Sequence, residues 1–321
     1  MRRNWVARVG VLALIALTFG AATTVAQDYP NRFIRVVVGP GPDITARLFG
    51  AKITEALGQQ LVVEPRPGAG GTIAAQTVAS APPDGYTLLL ASASYTIGTA
   101  LQQSSLDLGR DFLPIALLAT VPFVLVVHPS VPAKNLAELI AYAKANPGKL
   151  NYASSGSGTP PHLAGELFKS MTGLDIVHVP FREANSALNA VVSGAVQMMF
   201  SVASTAQSQI DGGMVRGIGV TSLRPSALVA GVPAIAEAGL AGFEVVGWNG
   251  LVAPKDTPAA IIAKLNGALQ RGLGDPELRN RLSAAGYEIA APNAPDDFGR
   301  FIRSDIAKWV ALVDKADMKA H

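Results

Sequence analysis

Residues 114–129, PIALLATVPFVLVVHP, form a long extended run interrupted by turn-forming prolines. Strands inside one sheet are usually much shorter, so the run reads as a segment passing from one domain to another. A second run of the same make, FEVVGWNGLVAP at 243–254, reads as the return. A chain that crosses twice has a discontinuous first domain. This predicts one unit built from 27–122 with 248–321 and a second from 123–247, with hinges at 120–123 and 246–249.

Working outward from the crossings, short β-branched runs at 33–38, 61–64, 86–91, 123–127, 176–179, 196–200 and 216–221 read as strands. Amphipathic stretches lie between them. Residues 43–57 carry Ile44, Leu48, Ile53 and Leu57 on one face and stop at Gly58, and 136–145 stop before Pro147-Gly148. Past the second crossing come helical segments at 258–273, 276–285 and 296–316, with a short strand at 287–290. Strand and helix in alternation predict an α/β protein with parallel sheets covered on both sides. No tandem repeat, low-complexity tract or charge block interrupts the pattern.

The first 26 residues stand apart. Arg2, Arg3 and Arg8 precede the apolar run 9–19, and small residues end at Thr24-Val25-Ala26. That is the pattern of a secretory signal peptide cleaved near Ala26; the apolar run is about half of the ~20 residues a spanning helix needs. The Arg2-Arg3 pair leaves general secretory and twin-arginine export both open. With the leader go three of the 26 basic residues and no acidic one, so the mature chain balances 23 Lys and Arg against 23 Asp and Glu. The formal charge of +3 therefore belongs to the leader, and the electrostatic footprint of a nucleic-acid binder is missing. No cysteine is present, so an exported chain of this size must be held together by packing alone, most naturally as two domains.

Three loops join a strand to a helix with unusual composition. In LNYASSGSGTPPHLAGELFKSMTG, 150–173, Thr159 fits a helix N-cap, Pro160 the first helical position and Gly173 the C-cap. Leu163, Leu167 and Met171, with Ala164 and Phe168, form the expected buried face. Ahead of the helix, Gly156 and Gly158 leave amides uncovered, and Ser154, Ser155, Ser157 and Thr159 add hydroxyls at the positive end of a helix dipole. That composition suits an anion. Pro160 and Pro161 have no N–H, so the amides must come from 156–159 and from His162. The alternative is a tight turn whose serines merely cap. The loop RPGAGGTIAAQ, 66–76, lacks the third glycine of a dinucleotide motif and the lysine of a Walker loop, and reads as a close-packed turn. The loop VGPGPDITARL, 38–48, offers Asp43 as a capping carboxylate.

Little in the sequence points to catalysis. His128, His162, His178 and His321 have no metal-ligand spacing, and His162 with Glu166 reads as a helix-surface pair. Gly156-Ser157-Gly158 is too short for a nucleophile elbow. His128 and His178 read as structural, and Arg182 and Glu183 as a surface pair.

The ordered segments YPNRFIRVVV, VVEPRPGAGGTIAA, PPDGYTLLLAS, RDFLPIALLA, LNYASSGSGTPPHLAGELF, DIVHVPF, VTSLRPSALVAGVPAIAEAGLAGFE and WNGLVAPKDTP resemble the exported solute-binding proteins of tripartite tricarboxylate transporters, the TctC or Bug family. The resemblance covers essentially the whole mature chain. It implies a type II periplasmic-binding-protein fold, two α/β lobes joined by two crossover segments, with a small carboxylate held between them. It also implies a periplasmic monomer without enzymatic activity or cofactor, delivering its solute to integral membrane transporter subunits. The carboxylate cradle implied by the family falls on Ser155, Gly156, Ser157, Gly158, Thr159 and His162. Ser201 lines the cleft from the same lobe, and Pro40, Asp43 and Ser94 complete the candidate set from the other. The chain departs from the family in two places. Its first loop, Gly39-Pro40-Gly41-Pro42, is shorter than usual and lacks an aromatic residue and a Gly-Gly pair. Arg182-Glu183 stands where a lysine and a glycine are common. A ligand sensor for a signalling partner could use the same fold; an α/β hydrolase would need a nucleophile with a base in reach.

Overall fold

The computed structural model describes residues 29–39, 43–68, 71–102 and 105–315. The leader and Pro40 lie outside them. Among the described residues ten strands join in one mixed sheet whose main order is β2-β1-β3-β9-β4-β7-β5-β6. The strands along this path are β1 (Ile34–Val38), β2 (Leu61–Pro65), β3 (Thr87–Ser92), β4 (Phe112–Val127), β5 (Asn151–Ser154), β6 (Val177–Pro180), β7 (Met198–Val202) and β9 (Val246–Pro254). Two further strands, β8 (Arg216–Val220) and β10 (Glu288–Ile289), pair with β4 off this path.

The expectation of parallel sheets holds only at the flanks. β1 is parallel to β2 and β3, and β5 to β6 and β7. The centre is antiparallel, because β4 and β9 carry the chain out and back: β9 runs against β3 and β4, and β4 runs against β7 and β8.

β4 changes partners within one strand. From Phe112 to Pro122 it pairs with β9, and from Phe123 to Val127 with β7; β8 joins it at Val124. Pro122 has no N–H to give a ladder, so it suits the handover. Thr221, fully buried, stitches this point. Its hydroxyl donates to the Val245 carbonyl (2.5 Å) and accepts the Phe123 N–H (3.0 Å), while its own N–H donates to the Phe123 carbonyl (2.9 Å).

Helices cover the sheet where the apolar periodicity predicts them. α1 (Ile44–Leu57) ends at Gly58 with φ 71°, and α2 (Thr72–Ala79) follows the turn in which the Gly71 N–H donates to the Gly68 carbonyl. α3 (Ala93–Ala100), α4 (Leu108–Asp111) and α5 (Leu136–Ala145) come next. The second half of the sheet carries α6 (Pro160–Thr172), α7 (Ala184–Val192) and α8 (Ala203–Asp211). After the return crossing come α9 (Ala259–Leu273), α10 (Pro276–Ala284) and α11 (Pro295–Lys315). Leu163, Ala164 and Phe168 of α6 are buried as its pattern requires, but Met171 is exposed, because the helix end clears the sheet at the Gly173 cap.

One core layer runs through both halves. It includes Phe168, Phe200 and Phe243, in mutual ring contact, and Trp248 packed edge-on against Phe298 and Phe301 of α11. Emptying one such aromatic site costs about 3–5 kcal/mol. Behind Trp248, the buried Asp305 carboxylate accepts from the Trp248 indole N–H (3.0 Å) and the Thr96 hydroxyl (2.7 Å), with Lys308 2.9 Å away. A buried carboxylate is tolerable only with such partners. Here they pin the return crossing to α3 and α11. None of the helices among the described residues is long and apolar enough to cross a membrane.

Candidate functional site

A cavity of about 450 Å³ opens where the two halves of the sheet meet. Its walls come from the C-terminal ends of parallel strands and the helices that follow them, the positions at which open α/β sheets hold ligands. β1 supplies Val38 and Gly39, leading to Ile44 of α1; β3 supplies Ser92, leading to Ala93, Ser94 and Tyr95 of α3. From the other half come Pro160 at the start of α6, Val202 at the end of β7, and Ser204 and Thr205 of α8. The crossings add Val121 and Phe123 of β4 and Gly247, Trp248 and Asn249 of β9. The turn 285–287 closes one side. A Cβ on Gly286, whose φ is 84°, would sit 2.2 Å from the Ser204 hydroxyl, so only glycine lets the two rims approach this closely.

No lining residue among the described residues is charged. Four helices present their N-terminal ends to the cavity, and none has an acidic residue in its first turn. Each such terminus acts as a partial positive charge of about half a unit. The polar lining, Ser92, Ser94, Tyr95, Ser204, Thr205, Asn249 and Tyr287, is neutral, and its groups are of types that donate hydrogen bonds. An anion held here is met by dipoles and hydroxyls rather than by an ion pair.

Thr45 of α1 is fully buried and donates its hydroxyl to the Asn249 carboxamide oxygen (3.2 Å). Tyr287, across the cavity lining, has its pKa raised by burial. The Tyr95 hydroxyl is buried without a hydrogen-bond partner among the described residues and lies against Gly39 and Gly71, where added Cβ atoms would meet it at 2.4 and 2.9 Å. Burial holds its pKa well above the ordinary range.

The glycine-serine loop ahead of α6 reaches the cavity through Pro160. Its backbone takes angles that favour glycine, with φ of 123° at Gly156 and 75° at Gly158. Several of its amides, however, are engaged within the protein. The Gly156 N–H donates to Ser154 Oγ (3.1 Å), the Gly158 N–H to His162 Nδ1 (3.0 Å), and the Thr159 N–H to the Gly156 carbonyl (3.4 Å). Thr159 occupies the N-cap position, but its hydroxyl turns back to the Gly156 carbonyl (2.7 Å) and caps nothing.

Behind the loop, His162, His178 and Tyr152 stack, with ring centroids 4.0 Å apart for the histidine pair and 4.9 Å for His178 and Tyr152. His162 is thus a buried side chain rather than half of a surface pair with Glu166. Glu166 instead accepts from the Tyr152 hydroxyl (2.6 Å) and pairs with Lys169 (3.0 Å). Burial, reinforced by the charge of neighbouring His162, pushes the His178 pKa down to about 4, and burial also lowers that of His162. Ser154 Oγ lies 2.6 Å from His178 Nε2, yet Ser154 is fully buried, so the pair is a scaffold and not a nucleophile with its base.

Of the remaining candidates, Ser94 lines the cavity. Ser201 is buried beneath it with its hydroxyl 3.5 Å from the Val202 carbonyl, and Ser155 and Ser157 lie on the loop outside the lining. Asp43 stands at the start of α1 but does not cap it; its carboxylate accepts from Arg47 (2.6 Å), which keeps its pKa low. Arg182 and Glu183 are both exposed and form no ion pair with each other among the described residues. No cluster of potential metal ligands occurs among those residues. Sequence reasoning missed Ser92, Ser204, Thr205 and Asn249. The signal for the first three was the strand-to-helix switch itself, which β3 and β7 share with β5.

The family model of the tripartite tricarboxylate transporter family receptor, TctC, matches residues 45–318. A Pseudomonas sp. (strain P51) protein, described as a UPF0065 protein in the tcbD-tcbE intergenic region, is 36% identical, the match covering 98% of this chain and 96% of that one. The solved R. palustris protein Rpa4515 with adipate is 32% identical with a TM-score of 0.74, over 90% of this chain and 99% of the other. MatC from Rhodopseudomonas palustris with bound malate is 34% identical with a TM-score of 0.71, over 89% and 100%. The two-lobed periplasmic-binding fold is common to these neighbours, which are binding proteins and not enzymes. The chain belongs to the TctC family of tripartite tricarboxylate transporter receptors.

Proposed function

We propose that the chain is an exported, monomeric receptor that captures a small organic acid in the interlobe cavity and hands it to integral membrane subunits. In this reading 27–122 with 248–321 form one lobe and 123–247 the other. The change of partners along β4 between Pro122 and Phe123 supports that division. The loop 155–159 acts as a rim that closes on the solute, with Ser155 and Ser157 as its available hydroxyls.

One observation carries the proposal: among the described residues, four helix N-termini, two from each half, converge on a cavity with no charged side chain. An acid touching both halves binds the closed arrangement better than the open one, and that difference drives closure. Excluding water strengthens every remaining hydrogen bond. Adipate and malate in the solved relatives support the solute class.

The test is a thermal-shift screen of the mature protein against mono-, di- and tricarboxylates. A binding acid at 100 times its Kd adds about 2.7 kcal/mol, a rise of several degrees for a chain of this size. No shift with any carboxylate would remove the receptor reading.

A further inference from the structure

Ser92 and Asn249 are directly opposite each other in the β3–β9 ladder, and both line the cavity. Residues so paired project from the same face with Cβ atoms about 5 Å apart. Ser92 occupies the N-cap position of α3 in extended conformation, but its side chain makes no cap hydrogen bond. Asn249 is oriented from behind, since the buried Thr45 hydroxyl donates to its carboxamide oxygen. A carboxamide whose oxygen is taken offers its NH2 group on the other branch. A serine hydroxyl and a carboxamide N–H thus stand side by side at the positive end of α3, with Ser94 one step further along.

The other half offers a second polar pole, Ser204 and Thr205 at the start of α8. Between the poles the lining is apolar, with Val121, Phe123, Val202 and Trp248. A hydroxyl on the middle of a solute would be desolvated there without a partner, and a site of this kind rejects it.

Resting on the receptor reading, we propose that Asn249, set by Thr45 as a positioning residue and joined by Ser92, grips one carboxylate of the solute, and that the apolar waist selects acids with an unhydroxylated body. Asn249 is then the specificity-determining side chain of the first lobe. The same atoms forbid a negative charge at that position.

The experiment is calorimetric titration of the mature protein and its variants with adipate and with galactarate, which has the same chain length and carboxylates but a hydroxyl on every inner carbon. Wild type should bind adipate at least about 10-fold more tightly than galactarate. Asn249→Asp should weaken adipate about 100-fold by like-charge repulsion. Thr45→Val should weaken it about fivefold, the worth of one hydrogen bond, and Thr45→Ser should restore it. In an Asn249→Ala background Thr45→Val should add nothing further, because a positioning residue acts only through its partner. Galactarate binding as tightly as adipate would overturn the selection by the waist. Unchanged affinity in Asn249→Asp, or a Thr45→Val effect that persists without Asn249, would overturn the anchor. Either outcome leaves the receptor reading intact, whereas a wild type that binds no carboxylate removes both.

Discussion

The loop from Ser154 to Pro160 and the wall made by Thr45, Ser92 and Asn249 are opposite cases. The loop is conspicuous in sequence, rich in glycine and hydroxyls, yet its Gly156, Gly158 and Thr159 amides are bonded to Ser154, His162 and the loop's own backbone. The wall is inconspicuous, one polar residue on each of three elements, yet it brings donors to the cavity surface. Composition reports how many donors a segment carries. Whether a ligand can use them depends on what the fold has already satisfied.

This contrast predicts that changes in the loop lower stability and affinity together, while changes in the wall separate them. The largest effect is expected at Gly165 of α6, where a Cβ would lie 2.1 Å from the Tyr152 ring. Gly165→Val overpacks the stack behind the loop and should cost about 3 kcal/mol, read as a fall in denaturant midpoint with loss of solute binding. If stability fell while the solute still bound at wild-type strength, the loop would be irrelevant to the site. Gly158→Ala comes next. At φ 75° the added Cβ costs about 1–2 kcal/mol, and a thermal melt should show it even without solute.

A pH series sharpens the same comparison. Between pH 6.5 and about 4 an unfolded histidine binds a proton that folded His178 refuses, so the unfolded state takes up more protons and stability falls as the pH falls through that window. His162 acts in the same direction, since burial lowers its pKa; a proton on Nδ1 would also break its bond from the Gly158 N–H. Subtracting the Tm profile of His178→Gln from that of wild type should isolate this slope; identical profiles would mean that the stack is not what holds the loop. The smallest effect is expected beside the wall, at Ser94. Ser94 is exposed, so Ser94→Ala should change stability by less than about 0.5 kcal/mol while weakening carboxylate binding measurably in a titration.

Much of the architecture was legible because it rests on local patterns. The apolar spacing of α1 and α5, the glycine stops at Gly58 and Gly173 and the proline start at Pro160 all appear where periodicity and capping chemistry put them. The extended runs at 114–129 and 243–254 are two central strands, β4 and β9. Their antiparallel pairing was not legible, since strand direction in a sheet depends on the path of the whole chain. Of the candidate site residues, Ser94 lines the cavity. Ser94 could be proposed, whereas Asn249 is one polar residue in an apolar strand until Thr45, far away in sequence, turns its carboxamide.

By itself the sequence determined the alternating α/β plan and the family, because both depend on residue type and short-range order. Tertiary structure alone decided which donors are free and which are engaged. That outcome depends on contacts such as His162 with Gly158, Thr45 with Asn249 and Ser204 with Gly286, where a few tenths of an ångström separate a hydrogen bond from a clash, and no residue type encodes that distance.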